Sequence, residues 1–193
     1  MSGKIFGIGM PKTGTCSLNV ALNNLGIKSI HDPNELRQKF WETGSCKFNK
    51  NFEALINFGE WFFPQLDEAY PNSKFILTVR DKKSWLSSCK NHFSPMNDKK
   101  YKNLYNANLK KMEIFGIKTF NKKRFSYVYD LHEKTVKDYF KGRENDLLII
   151  DICGGDKWNE LCDFLGIVAP QGLPFPHKNR KSKRRRKHKK HAE

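Results

Sequence analysis

One junction near the start of the chain limits the folds open to it more than any other stretch. A short apolar run, residues 4–8, passes directly into Gly9-Met10-Pro11-Lys12-Thr13-Gly14-Thr15-Cys16-Ser17. Residues 15–25 then carry Leu18, Ala21, Leu22 and Leu25 at helical spacing, with Gly26 where a left-handed helix end belongs. A strand that hands over to a helix within so few residues needs a tight, glycine-bearing loop. Such a junction gathers the unpaired N–H groups of the helix's first turn, and the positive end of its dipole, at the strand's carboxyl end. That combination is a cradle for phosphate. Thr13 or Thr15 is expected to cap the helix.

Apolar strands and amphipathic helices alternate along the rest of the chain. Strands are expected at residues 4–8, 28–30, 74–79 and 147–150, and helices at 15–25, 34–42, 61–69, 82–91, 101–115, 125–141 and 157–165. This order predicts an α/β chain, a central parallel sheet with helices on both faces. Ligands of such sheets bind beyond the carboxyl ends of the strands. Residues 9–17, His31 with Asp32, and Arg80 with Asp81 all follow strand ends, so they should share one rim. Asp32, Pro33 and Glu35 read as a helix start, with Asp32 as N-cap and Glu35 closing a capping box.

With 193 residues, 38% of them hydrophobic, one domain with a real core is expected at residues 1–176. Residues 177–193 hold ten Lys or Arg against one Glu and no large apolar residue, a basic tail that should not order by itself. The net charge of +16 is thus partly a property of the tail, and the moderately basic body suits an anionic ligand. No apolar run is long enough to span a membrane, and no signal region precedes the first strand. Five cysteines (Cys16, Cys46, Cys89, Cys153, Cys162) without CxxC spacing suggest neither a disulfide framework nor a zinc site. A reducing, cytoplasmic setting follows, with the tail also matching a nuclear-localisation signal.

The loop's spacing resembles the nucleotide-binding GxxxxGK[ST], with Gly9 and Gly14 as its glycines, but Thr15 stands where the Lys belongs and Lys12 is the loop's lysine. Pro11-Lys12-Thr13-Gly14-Thr15, then Ser17, instead resembles the 5′-phosphosulfate loop of P-loop sulfotransferases, which use 3′-phosphoadenosine 5′-phosphosulfate (PAPS). Two further segments are similar to that family. The strand 74–79 ends in Arg80 with Ser88 eight residues on, like the family's 3′-phosphate motif, and Ser84 and Ser87 compete for the same role. Residues 147–151, 158–166 and 174–179 resemble the C-terminal end of small soluble members.

The resemblance implies a three-layer P-loop-type fold. It implies sulfuryl transfer from PAPS to a hydroxyl or amine, in line and without a metal. In that reading Pro11, Lys12, Thr13, Gly14, Thr15, Cys16 and Ser17 hold the phosphosulfate, with Lys12 on the leaving oxygen, although Cys16 departs from the family's hydroxyl residue and a thiol is the weaker donor. Arg80 and Ser88 hold the 3′-phosphate, joined by Lys178 and Arg180 of the basic loop. His31 is the candidate base. Glu35 is its rival, since some members place a Glu base shortly after the loop. His92, His132 and His177 are weaker candidates. The partners are PAPS, an acceptor, and an anionic surface for the tail: nucleic acid, anionic glycan or membrane. The alternatives are a P-loop kinase or NTPase, which would bind ATP with Mg²⁺, and a nucleic-acid-binding protein whose salt-sensitive binding is lost with residues 178–193.

Overall fold

The computed structural model describes residues 3–94, 104–155 and 157–178. Five parallel strands form one sheet in the order β2-β3-β1-β4-β5. They are β1 (Ile5–Gly7), β2 (Ser29–His31), β3 (Ala54–Ile56), β4 (Lys74–Thr78) and β5 (Leu147–Ile150). The described helices are α1 (Thr15–Asn24), α2 (Asn34–Thr43), α3 (Phe63–Ala69), α4 (Lys82–His92), α5 (Leu104–Phe115), α6 (Lys122–Tyr139) and α7 (Trp158–Leu165). Short 3₁₀ turns, Glu144–Asp146 and Ile152–Gly154, flank β5.

Strand side chains alternate between two cores, as the period of two demands. Phe6, Leu55, Phe75 and Leu77 pack with Leu36 of α2, Phe63 and Leu66 of α3, and Val136 of α6. Ala54, Ile56, Ile76 and Ile150 face the other way, onto Leu18, Ala21 and Leu22 of α1 and Trp158 and Leu161 of α7. Each buried Val, Leu, Ile or Phe among them contributes about 1.5–3 kcal/mol by leaving water. Helices therefore cover both faces. A third cluster lies around the loop after β1: Met10, Trp85, Cys89, Phe93, Ile114, Phe115, Phe125, Val128 and Tyr129 tie α4, α5 and α6 together. Phe115 and Phe125 stack at 3.8 Å in its middle.

The winding places the ligand rim. From β1 the chain crosses to β2 and returns to β3 on one side, then builds β4 and β5 on the other. The border between β1 and β4 is where the order reverses, and crevices for ligands open there. The segment after β1 is the glycine loop, and the segment after β4 begins with Arg80.

Three expectations are corrected. β3 was not expected, because three residues buried on both faces leave no alternation to detect. Neither Thr13 nor Thr15 caps α1; Gly14 is its N-cap, at φ 108°, with no side-chain cap bond. Nor is Asp32 the N-cap of α2, which starts at Asn34 behind Pro33 and has no side-chain cap. Asp32 sits at φ 52° and is bonded instead to a lysine of α5. Gly26 does follow α1 at φ 79°, its N–H donating to the Asn23 carbonyl.

Candidate functional site

The loop between β1 and α1 is held from outside by its carbonyl groups. The Met10 carbonyl accepts from the Thr13 hydroxyl at 2.7 Å. The Pro11 carbonyl accepts from Trp85 Nε1 at 2.9 Å, and the Lys12 carbonyl from Arg80 Nη1 at 3.2 Å. The Thr13 carbonyl faces Cys153 Sγ at 3.8 Å. The carbonyls of Pro11, Lys12 and Thr13 are thus turned toward the surrounding protein, while that of Met10 closes a turn within the loop. The N–H groups of Gly14, Thr15 and Cys16, at the head of α1, make no backbone bond among the described residues. They are the orphan donors of a helix start, carrying its partial positive charge.

Close approach to β4 fixes the loop's shape. Thr13 is fully buried, and its hydroxyl lies 2.5 Å from that of Thr78. A Cβ on Gly9 would stand 2.0 Å from the Thr78 hydroxyl and 2.6 Å from its carbonyl oxygen, so only glycine fits. Lys12 adopts φ 76°, a left-handed backbone that costs an L-residue energy and is held by the bonds on either side.

Arg80 adjoins this loop. Its Nε donates to Ser84 Oγ at 3.0 Å while Nη1 reaches the Lys12 carbonyl. Its backbone is clamped by Tyr129, whose hydroxyl accepts from the Arg80 N–H at 3.0 Å and donates to the Arg80 carbonyl at 2.9 Å. Asp81 caps α4 by accepting from the Ser84 N–H at 2.8 Å. Ser84, rather than Ser88, therefore touches the guanidinium. Ser88 is half-buried one turn along the same helix face, and Ser87 is exposed.

On the opposite wall, His31 ends β2 beside the head of α1. Its Nε2 is 3.2 Å from the Thr15 hydroxyl and 3.5 Å from Cys16 Sγ. Burial lowers its pKa, Asp32 and Glu60 push it up, Lys110 pushes it down, and the net is a ring held below its usual value and neutral at pH 7. His92, at the end of α4, is brought down to about 4 by burial and by Lys12, Lys110 and Lys111. Lys110 thus acts on both histidines, and Lys12 on His92.

Behind His31 lies a buried ionic cluster that the sequence did not suggest. Arg37, 1% exposed, bonds Glu113 through Nη1, and through Nη2 reaches the Asn57 carbonyl at 2.9 Å and Glu60 at 3.4 Å. Trp41 Nε1 donates to the other oxygen of Glu113 at 2.7 Å. Lys110 bonds Asp32, which lies 3.8 Å from Arg37. Burial works to raise the Asp32 carboxyl, but Lys110, Arg37 and His31 together hold it below the usual range.

The remaining candidates fall as follows. Glu35 is not brought to the loop; its side chain is 84% exposed and pairs with Lys50 at 2.9 Å. The Ser17 hydroxyl accepts from the Lys178 N–H at 3.0 Å, so the start of the basic tail is rooted at α1 while the Lys178 side chain faces solvent. Arg180 and the rest of the tail lie outside the described residues. His132 is buried against Trp61 at 5.2 Å and away from the loop, and His177 is exposed. Ser84, expected only as a competitor of Ser88, is the serine on the guanidinium, while Trp85, Tyr129 and Lys110 went unnoticed as site residues. Of those three, Tyr129 left a trace, on the apolar face of α6 with Phe125, Val128 and His132. Among the described residues no group of three or more His, Cys, Asp or Glu could hold a metal ion, and no helix is long and apolar enough to cross a membrane. All five cysteines are free.

This arrangement, a glycine loop at the reversal point with a cation on each side, agrees with comparison to known proteins. A family model described as a sulfotransferase domain matches residues 4–184. The chain belongs to the sulfotransferase domain family. It is also similar to the Ava biosynthesis cluster protein M of Aspergillus versicolor, 34% identical over 111 residues, covering 46% of this chain. The match spans 42% of that relative's length.

Proposed function

We propose that this protein moves a sulfuryl group from PAPS to a hydroxyl or amine acceptor by in-line transfer. The observation that carries the reading is the outward tethering of the Pro11, Lys12 and Thr13 carbonyls, which leaves the N–H groups of Gly14, Thr15 and Cys16 for an anion, beside Lys12 and Arg80. This donor set suits a phosphosulfate: neutral N–H groups, one ammonium and one forked guanidinium. When bound, PAPS supplies the sulfuryl group and a phosphate leaving group.

The chain's own residues then have distinct tasks. The head of α1, with the hydroxyls of Thr15 and Ser17, holds the phosphosulfate. Lys12 sets a positive charge where the leaving oxygen gains negative charge, so it favours the transition state over the ground state. Arg80, steadied by Ser84, and Ser88 one turn on hold the 3′-phosphate, with Lys178 and Arg180 as further cations for it. His31, neutral and at the rim, takes the acceptor's proton. The geometry favours His31 over Glu35, which pairs with Lys50 in solvent. The acceptor enters from the side of His31, His92 and Lys110. A cytoplasmic setting and an anionic partner for the tail belong to the same reading.

Thermal melting with 3′-phosphoadenosine 5′-phosphate (PAP), against AMP and against ATP with Mg²⁺, tests it. A ligand at 100 times its Kd adds about 2.7 kcal/mol of stability. PAP alone is expected to raise the Tm, and Arg80→Ala to abolish the rise. Lys12→Ala is expected to lower the transfer rate by about 10²–10³, or ~3–4 kcal/mol. No rise with PAP, or a larger one with ATP and Mg²⁺, overturns the proposal.

A further inference from the structure

We infer that Lys110 is a positioning residue for His31: through its ion pair with Asp32 it pins the β2–α2 corner, and with it the His31 ring, over the head of α1. The inference rests on the transferase reading, in which His31 is the base. Four observations carry it.

First, Asp32 directly follows His31 and sits at φ 52°, a left-handed backbone that is uncommon outside glycine, though aspartate is among the residues that adopt it. The corner's backbone bond is the Asp32 N–H to the Ile56 carbonyl at 2.8 Å, and the constraint on its side chain is the bond to Lys110. Second, Lys110 comes from α5, far away in sequence, with a side chain only 16% exposed. A lysine so covered must be neutralised, and Asp32 does so. Third, α5 is fastened a second time three residues on, by Glu113 to Arg37 and Trp41, so Lys110 and Glu113 form two adjacent clamps on one helix face. Arg37 in turn bonds the Asn57 carbonyl after β3, which locks the corner to the sheet. Fourth, the charges facing His31 are few and of opposite effect. Asp32 on its own corner and Glu60 after β3 favour the protonated ring, and Lys110 on α5 disfavours it. Thr15 and Cys16 on α1 contribute neutral contacts.

Lys110 thus does two things to His31. It fixes the ring's place, and it adds to burial, the larger effect, in opposing the pull of Asp32 and Glu60 toward the protonated ring. Removing Lys110 leaves burial alone against the two carboxylates, and removing Asp32 shifts the balance the other way.

The test is the His31 titration, read by NMR from its ring C–H in the full-length protein and assigned with His31→Gln. The acid limb of the transfer rate against pH is followed beside it. Lys110→Met is expected to raise both midpoints by about one pH unit, the scale of one close charge. Asp32→Asn is expected to lower them, the double variant to return them toward the starting value, and Lys110→Arg to leave them in place. If Lys110→Met does not fold, Asp32→Asn, Lys110→Gln and the double variant make the same comparison. A merely structural Lys110 would lower the rate equally at every pH, with no displacement of opposite sign. Unmoved midpoints, or midpoints moving the same way in Lys110→Met and Asp32→Asn, overturn the inference. The NMR titration needs neither donor nor turnover. A protein that shows these displacements yet gains no stability from PAP refutes the transferase reading alone. One that binds PAP in every variant without the displacements refutes the Lys110 role alone.

Discussion

Tyr129→Phe removes one oxygen atom and asks whether the Arg80 backbone is clamped as described. The hydroxyl makes two bonds to one residue, accepting from the Arg80 N–H at 3.0 Å and donating to its carbonyl at 2.9 Å. Tyr129 is 6% exposed and its ring packs on Trp85 at 4.5 Å, so phenylalanine keeps the packing. A net protein hydrogen bond is worth about 1 kcal/mol, and an unsatisfied buried partner costs about 1–3 kcal/mol. The half-buried Arg80 backbone can recover part of this from water, which gives a loss of ~1.5–2 kcal/mol. In a chain of this size that is a fall in Tm of about 3–8 °C. Differential scanning calorimetry measures it. Tyr127→Phe is the control, because that ring is 57% exposed and its contact is with the Arg124 side chain; it should leave Tm unchanged. PAP affinity should also fall in Tyr129→Phe, since the guanidinium hangs from the loosened segment. A Tm within 1 °C of the parent would refute the clamp.

Two further outcomes are expected. Glu35→Gln should leave the transfer rate within about twofold, because an exposed pair with Lys50 contributes little, while His31→Gln should lower it by about 10²–10⁴; steady-state rates at saturating acceptor decide between them. Stability should fall as pH drops from about 6.5 toward 4. His132 has its folded pKa brought to about 4 by burial, so in that window the unfolded chain binds a proton that the folded protein refuses. The depression amounts to ~3 kcal/mol at full effect. Urea unfolding at several pH values checks this, and a His132→Phe variant that keeps the full slope would assign it elsewhere.

How much could be read from the sequence depended on whether a feature was local. The loop, the parallel sheet with helices on both faces, and the nearness of residues 9–17, His31 and Arg80 all followed from strand ends and spacing. Caps failed where a distant group competed for the same side chain. Thr13 is taken by Thr78, and Asp32 by Lys110. Ser84 was passed over for Ser88, although an i, i+4 contact from Arg80 at a helix start is the shorter reach. The Arg37 cluster draws on α2, the segment after β3, and α5, and nothing in any one of these segments signals the others. β3 itself has three residues and no alternation, so only its neighbours reveal it.

The strand order also has a consequence for how the molecule comes into being. β1 precedes both of its neighbours in the chain, pairing Ile5 with Ala54 on one side and with Lys74 on the other. Until both have left the ribosome, an apolar segment and its glycine loop stand without lateral partners. Contacts so distant in sequence form slowly. The glycine loop therefore gains its lateral partners only once the chain through β4 has been made, well after its own residues.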